Sequence, residues 1–188
     1  TRAGASRSIS WPRRWLPERE ITMLEQGERT TSSTRAGDLA TTVEQAFAEL
    51  LRAVEASTPE QWAAPCSDGE WTQGFAAYHA ASHIEGVAKV VKEVAEGQPL
   101  PNLTMADLDA ENAEAAKEHA DCTVAETVDH IKASAPAAVA MVRALTDAQL
   151  DRKVQLPGGM PEVAVEMFVQ MALVGHATYH LNTITGAR

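Results

Sequence analysis

Four of the six histidines in this 188-residue chain fall into two pairs at a spacing of four, His79 with His83 and His176 with His180. Six histidines scattered at random over such a length would give ~0.2 such pairs, so the pattern is an excess that asks for a reason. On a helix, side chains four apart project to the same side with Cβ atoms about 5 to 6 Å apart, and both imidazoles of a pair can reach one ion. An imidazolium buried on an apolar helix face is costly, whereas a neutral ring that binds a metal through one nitrogen and donates from the other is satisfied. Three such rings on one ion leave a fourth position for water or substrate, the open arrangement of catalytic zinc. A histidine on an apolar face is also an ordinary hydrogen-bonded core residue, and spacing by itself leaves both readings open.

The remaining chemistry is thinner. His119, beside Lys117, Glu118 and Asp121, and His130, beside Asp129 and Lys132, have no histidine partner at helical spacing and read as solvated-face residues. Cys66 and Cys122 stand 56 positions apart, with neither a Cys-x-x-Cys nor a secreted-domain spacing, which predicts two reduced thiols in a cytoplasmic protein. Cys66 reads as a small apolar loop residue, not a reactive thiol. No glycine-rich loop followed by Lys and Ser or Thr is present for phosphates, and Leu156 to Pro161 reads as a turn. Ser82, Tyr78 and Tyr179 adjoin histidines in sequence, but neighbours on a helix point apart, so no Ser-His dyad is indicated.

The elements that must position the pairs follow from periodicity. From Asp38, placed to cap a first turn, Leu39, Val43, Phe47, Leu50 and Val54 mark a first helix. Ser57 to Glu70 is a connection with Pro59, Pro65 and Gly69. After it one long second helix carries Phe75, His79, His83, Val87, Val91 and Val94 until Gly97 and Pro99 stop it. Thr104 can cap a polar connector helix lying over the bundle. A third helix starts at the capping box of Thr123 and Glu126 and runs to Leu145, with a kink or break expected at Pro136. The fourth spans about Pro161 to Ile184 and carries Val165, Phe168, Val169, Ala172, His176 and His180 on one side. Four amphipathic helices with one long second connection predict an all-α bundle.

Composition agrees. The chain is 45% hydrophobic but 5% aromatic, and its alanine-rich make-up suits helices packed through small residues. Its formal charge is −10; the first 22 residues hold five Arg against two Glu, so the body carries −13, a poor match for phosphate and an argument against a nucleic-acid partner. The best apolar run, Val163 to Val174, is too short for a membrane span and is interrupted by Glu166 and Gln170. Residues 1–36 show no apolar periodicity and are expected to be a disordered leader ahead of a bundle over 37–188, with Met23 a plausible start and the residues before it upstream sequence.

Three segments, EWTQGFAAYHAASHIEG, LTMADLDAENAEAA and above all MALVGHATYHLNTI, resemble the DinB-like superfamily of metal-binding bundles in order and spacing, over roughly Asp38 to Ile184. The resemblance implies an up-down-down-up four-helix bundle and one divalent metal ion, zinc or nickel. It implies His79, eight residues after Trp71, and the pair His176 and His180 as ligands, with His83 a donor in the second shell, an occasional ligand or a wall of the pocket. Relatives of this kind include transferases and isomerases that use low-molecular-weight thiols. The expected function is thus a metal-dependent thiol S-transferase or isomerase acting on a small-molecule electrophile in the cytoplasm, with mycothiol as a thiol and a homodimer as an assembly. The rivals are a non-catalytic metal-binding or stress-related dimerisation module, and a plain bundle whose histidines are core residues.

Overall fold

The computed structural model describes residues 33–66, 71–101, 104–157 and 160–186. The expected disorder of the leader falls, up to residue 32, outside them. The first apolar stripe is realised in α1, Thr34–Glu55, which buries Leu39, Val43, Phe47, Leu50 and Val54. Its cap is Ser33, not the expected Asp38. The Ser33 hydroxyl accepts from the Ala36 amide at 3.2 Å and donates to the carboxylate of Asp147, 114 residues away. Arg35 reaches Asp151 at 3.0 Å and Asp147 at 3.8 Å, and pairs with Glu166 as well. Partners distant in sequence therefore set where this helix begins, and a local pattern does not contain them.

The connection after α1 holds a short helix, α2, Pro59–Ala63, capped by Thr58 in a reciprocal pair with Gln61. Its Trp62 indole donates to the Cys122 carbonyl at 2.8 Å. The same ring lies so close over Gly74 that a Cβ there would come within 2.5 Å of it. An antiparallel bridge between Pro65 and Thr72, with the Cys66 amide on the Trp71 carbonyl at 2.7 Å, fixes Trp71 at the entrance of the next helix.

The expected single second helix is two, α3, Gln73–Ser82, and α4, Ile84–Ala95, joined at His83. The Ser82 hydroxyl and His83 Nδ1 both bond to the His79 carbonyl, at 3.3 and 2.9 Å. The His83 amide also keeps its bond to this carbonyl, at 3.2 Å, and side chains that share a ladder carbonyl in this way weaken and bend a helix. The connector is α5, Met105–Glu118, capped by Thr104 and Asp107. The next long helix, α6, Val124–Arg143, has the expected capping box of Thr123 and Glu126. Pro136 lies inside it without breaking it, beside a groove of about 400 Å³ against α1 floored by Phe47, Ile131 and Val139.

Between the third and fourth bundle helices the chain forms α7, Asp147–Leu150, and a two-stranded antiparallel ribbon, β1, Lys153–Val154, with β2, Val163–Ala164. Strands of two residues leave no periodic signal to read. The last helix starts at Val165, after the ribbon, where Pro161 was expected. It comprises α8, Val165–Val169, a π-helical stretch over Gln170–Gly175, and α9, His176–Thr185.

The fold is the expected all-α four-helix bundle, built from α1, α3 with α4, α6, and α8 with α9. Within it α1 packs along α6, and α9 packs against α3 and α1. Leu50, Val91, Ile131, Val142, Val165 and Val169 are fully buried at its centre. No helix among the described residues is long and apolar enough to cross a membrane.

Ser33→Ala removes both a helix cap and a tie to α7. It is expected to lower unfolding free energy by about 1 kcal/mol, within the range for lost caps, as read from the urea midpoint. An unchanged midpoint would show that neither bond matters.

Candidate metal centre

α3 and α9 pack side by side, and their facing turns bring His79, His176 and His180 together. Each offers a ring nitrogen, and the three nitrogens lie within 4.8 Å of one another. The Nε2 atoms of His79 and His176 are 3.3 Å apart. His79 and His180 are buried, at 6% and 5% exposure, and His176 is half-buried. The Trp71 ring lies parallel to that of His180 at 5.9 Å and 4.9 Å from that of His79, roofing one side of the cluster.

Burial decides the charge of this group. Loss of water, then the neighbouring rings of His83, His180 and His176, pushes the His79 imidazole down to about 2. Loss of water, then His83, pushes His176 down to about 4. Both rings are neutral at neutral pH and keep a lone pair, the state a metal requires. His79 Nδ1 is buried without a hydrogen-bond partner among the described residues.

These residues fit a divalent ion. Imidazole nitrogens are common donors for Zn, Ni, Fe or Cu. Ligands about 2.0 to 2.1 Å from a tetrahedral centre stand about 3.3 Å from each other, which is the spacing of the His79 and His176 nitrogens.

His83 is not part of the cluster. It sits exposed at the junction of α3 and α4, its ring 4.1 Å from that of His79. A carbonyl only accepts, so His83 Nδ1 must carry its proton and donate to the His79 carbonyl at 2.9 Å. The ring thus braces the backbone of a cluster residue. Ser82 Oγ stands 3.4 Å from His83 Nδ1, a nitrogen already committed to that carbonyl, and no Ser-His dyad forms.

His119 and His130 also lie apart from the cluster. They are half-buried, not fully solvated as expected, because their rings flank Tyr78 at 4.6 and 5.3 Å. Cys66 and Cys122 form no disulfide. Burial, then Glu126 and Asp121, pushes the Cys122 thiol up to about 11, so it is a poor nucleophile at neutral pH. Two features of the centre were missed in the sequence, the Trp71 roof and the π-helical stretch ahead of His176. Trp71 had a signal in its spacing from His79; the π turn had none.

Protonation gives this centre a pH signature in the metal-free chain. Unfolded histidines take up a proton near pH 6.5, whereas folded His79 and His176 do so only near 2 and 4. Between pH 6.5 and 4 the unfolded state binds more protons, so stability falls as pH falls. Denaturation in the presence of EDTA is expected to show a loss of up to about 2 kcal/mol per histidine between pH 7 and 5. His79→Phe and His176→Phe should each flatten that slope, and an unchanged slope would contradict the assignment.

The profile of the DinB superfamily matches residues 42–184. Among solved structures, YfiT from Bacillus subtilis, described as a probable metal-dependent hydrolase with an unusual four-helix bundle topology, superposes with a TM-score of 0.64 at 21% identity, over 85% of this chain and 89% of that one. The mycothiol-dependent maleylpyruvate isomerase superposes with a TM-score of 0.62 at 11% identity, over 79% of this chain and 60% of that one. No curated protein sequence matches.

Proposed function

Because this chain belongs to the DinB superfamily, we propose that His79, His176 and His180 hold one divalent ion, zinc or nickel, and that the loaded protein transfers or isomerises a small electrophile with a low-molecular-weight thiol. The observation that carries the reading is the convergence of three imidazole nitrogens within 4.8 Å at a buried junction of α3 and α9. A bound ion would supply Lewis-acid activation, lowering the pKa of a thiol or water at its open position. The two structural relatives bear on the two halves of the proposal, one described by its metal dependence and the other by its thiol.

The chain's own residues prepare the site. Desolvation keeps His79 and His176 unprotonated, so neither has to shed a proton when an ion arrives at neutral pH. Trp71 covers the His180 side and keeps water from it. The His83 ring holds the His79 carbonyl, and through it the turn on which the His79 ring is aimed. With Cys122 held protonated, the nucleophilic thiol in this reading comes from outside the chain. Its proposed setting is the cytoplasm, supported by two cysteines that form no disulfide.

Elemental analysis of the purified protein is expected to find about one divalent ion per chain. His79→Ala, His176→Ala and His180→Ala should each abolish it, while His83→Ala weakens affinity by about 10 to 100-fold, the effect of an outer partner. If His83→Ala emptied the site and His79→Ala did not, the ligand on the second bundle helix would be misassigned by one turn. Thiol consumption with a generic electrophile should depend on the ion. A fully loaded protein that consumes no thiol would favour a non-catalytic metal-binding or dimerisation module.

A further inference from the structure

A second cavity, of about 490 Å³, opens where the end of α4 meets the β1–β2 ribbon. It is well within the range of sites for small organic ligands. Val94, Val154 and Leu156 are buried and give it an apolar floor. Pro99, Pro101 and Pro157 stiffen its walls. From His83, the eleven residues of α4 to Val94 span about 16 Å at the helical rise, so this cavity is separate from the histidine cluster.

Its cations are the unusual feature. Among the described residues Arg35, Lys89, Lys92, Lys117, Lys132 and Arg143 all lie within 4.0 Å of a carboxylate. Arg52 bonds instead to the Ala48 carbonyl at 3.2 Å. Arg152 and Lys153 have no carboxylate partner among the described residues, although the chain carries −10 overall, and both line this cavity. Glu162 lines it too without pairing with either, so the lining keeps a surplus of one positive charge.

The Arg152 guanidinium is also placed. Gly97 has a φ of +98°, a conformation that side chains avoid. A Cβ on it would stand 2.6 Å from Arg152 Nη1, so the missing side chain is the notch in which the guanidinium lies. The backbone behind it is fixed as well: the Arg152 carbonyl accepts from the Val165 amide at 2.9 Å, and the next residue pairs in the ribbon. An arginine whose backbone is held at the ribbon and whose head lies in the Gly97 notch, with no carboxylate partner among the described residues, beside a cavity with an apolar floor is organised for a carboxylate, whose two oxygens match the guanidinium fork.

We infer that this cavity binds a small organic carboxylate with an apolar body, its head on Arg152 and its body over Val154 and Leu156. The site is independent of the histidine cluster and of any ion there.

The test uses the full chain in EDTA, which keeps carboxylate binding to a metal from registering. Hexanoate is titrated and followed by calorimetry and by amide chemical shifts, with hexanamide, of the same shape but uncharged, and acetate, of the same charge without a body, as controls. Hexanoate should bind at least about tenfold more tightly than either control, as expected for one charge-assisted bidentate contact. It should shift the amides of Gly97, Val154 and Leu156. Arg152→Gln, a change at an exposed side chain, should weaken hexanoate by about tenfold without altering the melting temperature, and Lys153→Gln should weaken it less. Equal binding of hexanoate and hexanamide, affinity unchanged in Arg152→Gln, or shifts confined to residues around His79 would each overturn the inference.

Discussion

Three imidazoles stripped of water at one junction of two helices are the constraint on which the rest of this structure turns. A neutral ring has a lone pair and an N–H to satisfy, and His79 keeps one nitrogen buried with no hydrogen-bond partner among the described residues. The arrangement is tolerable because burial holds the His79 and His176 rings neutral. A site of this kind is unfavourable for the isolated chain and favourable for whatever occupies it, which is the balance expected of a preorganised binding site.

The supporting parts act on that junction from several directions. Trp71 is placed by a bridge at the mouth of a loop, and its ring lies parallel to His180. His83 interrupts a helix in order to hold the carbonyl of His79. At the far end of the molecule Arg35 ties the start of α1 to Asp151 and Glu166, joining the first bundle helix to the segment that leads into the last. These ties are partly exposed, and their value lies more in fixing register than in stability.

The bundle and the histidine partners were legible because both are written in periodicity. Apolar residues at three and four define α1 and α6, and His176 with His180 follow the same rule. Capping boxes at Thr104 and Thr123 were legible for the same local reason. What was hidden depends on partners far away in the chain. Ser33 caps α1 while its hydroxyl donates to Asp147, a partner that the local pattern pointing to Asp38 does not contain. At His83 a side chain shares the His79 carbonyl with the backbone amide, which a hydropathy pattern cannot express. At Pro136 the chemistry forbids one hydrogen bond, yet of the kink or break expected there the break does not occur, and the helix runs on to Arg143. His119 and His130 looked solvated because their own neighbours are charged, whereas Tyr78 comes to them from another helix.

The π-helical stretch at Gln170–Gly175 bears on how the length of this chain can vary. A π turn takes up one residue more than an α turn over the same rise, so it behaves as a single inserted residue absorbed where it stands. Gly175 closes it, at a position where a Cβ would press to 3.3 Å from the Gln170 carbonyl. Helix α8 before the turn and α9 after it can then each keep the face they present to the bundle, because the surplus is confined between them. One more residue between Val169 and His176, not taken up by such a turn, would rotate His176 and His180 by about 100° relative to Val165 and Val169 and turn them out of the cluster. The helix thus has one place where residue count is uncoupled from orientation, immediately ahead of the side chains whose orientation matters most.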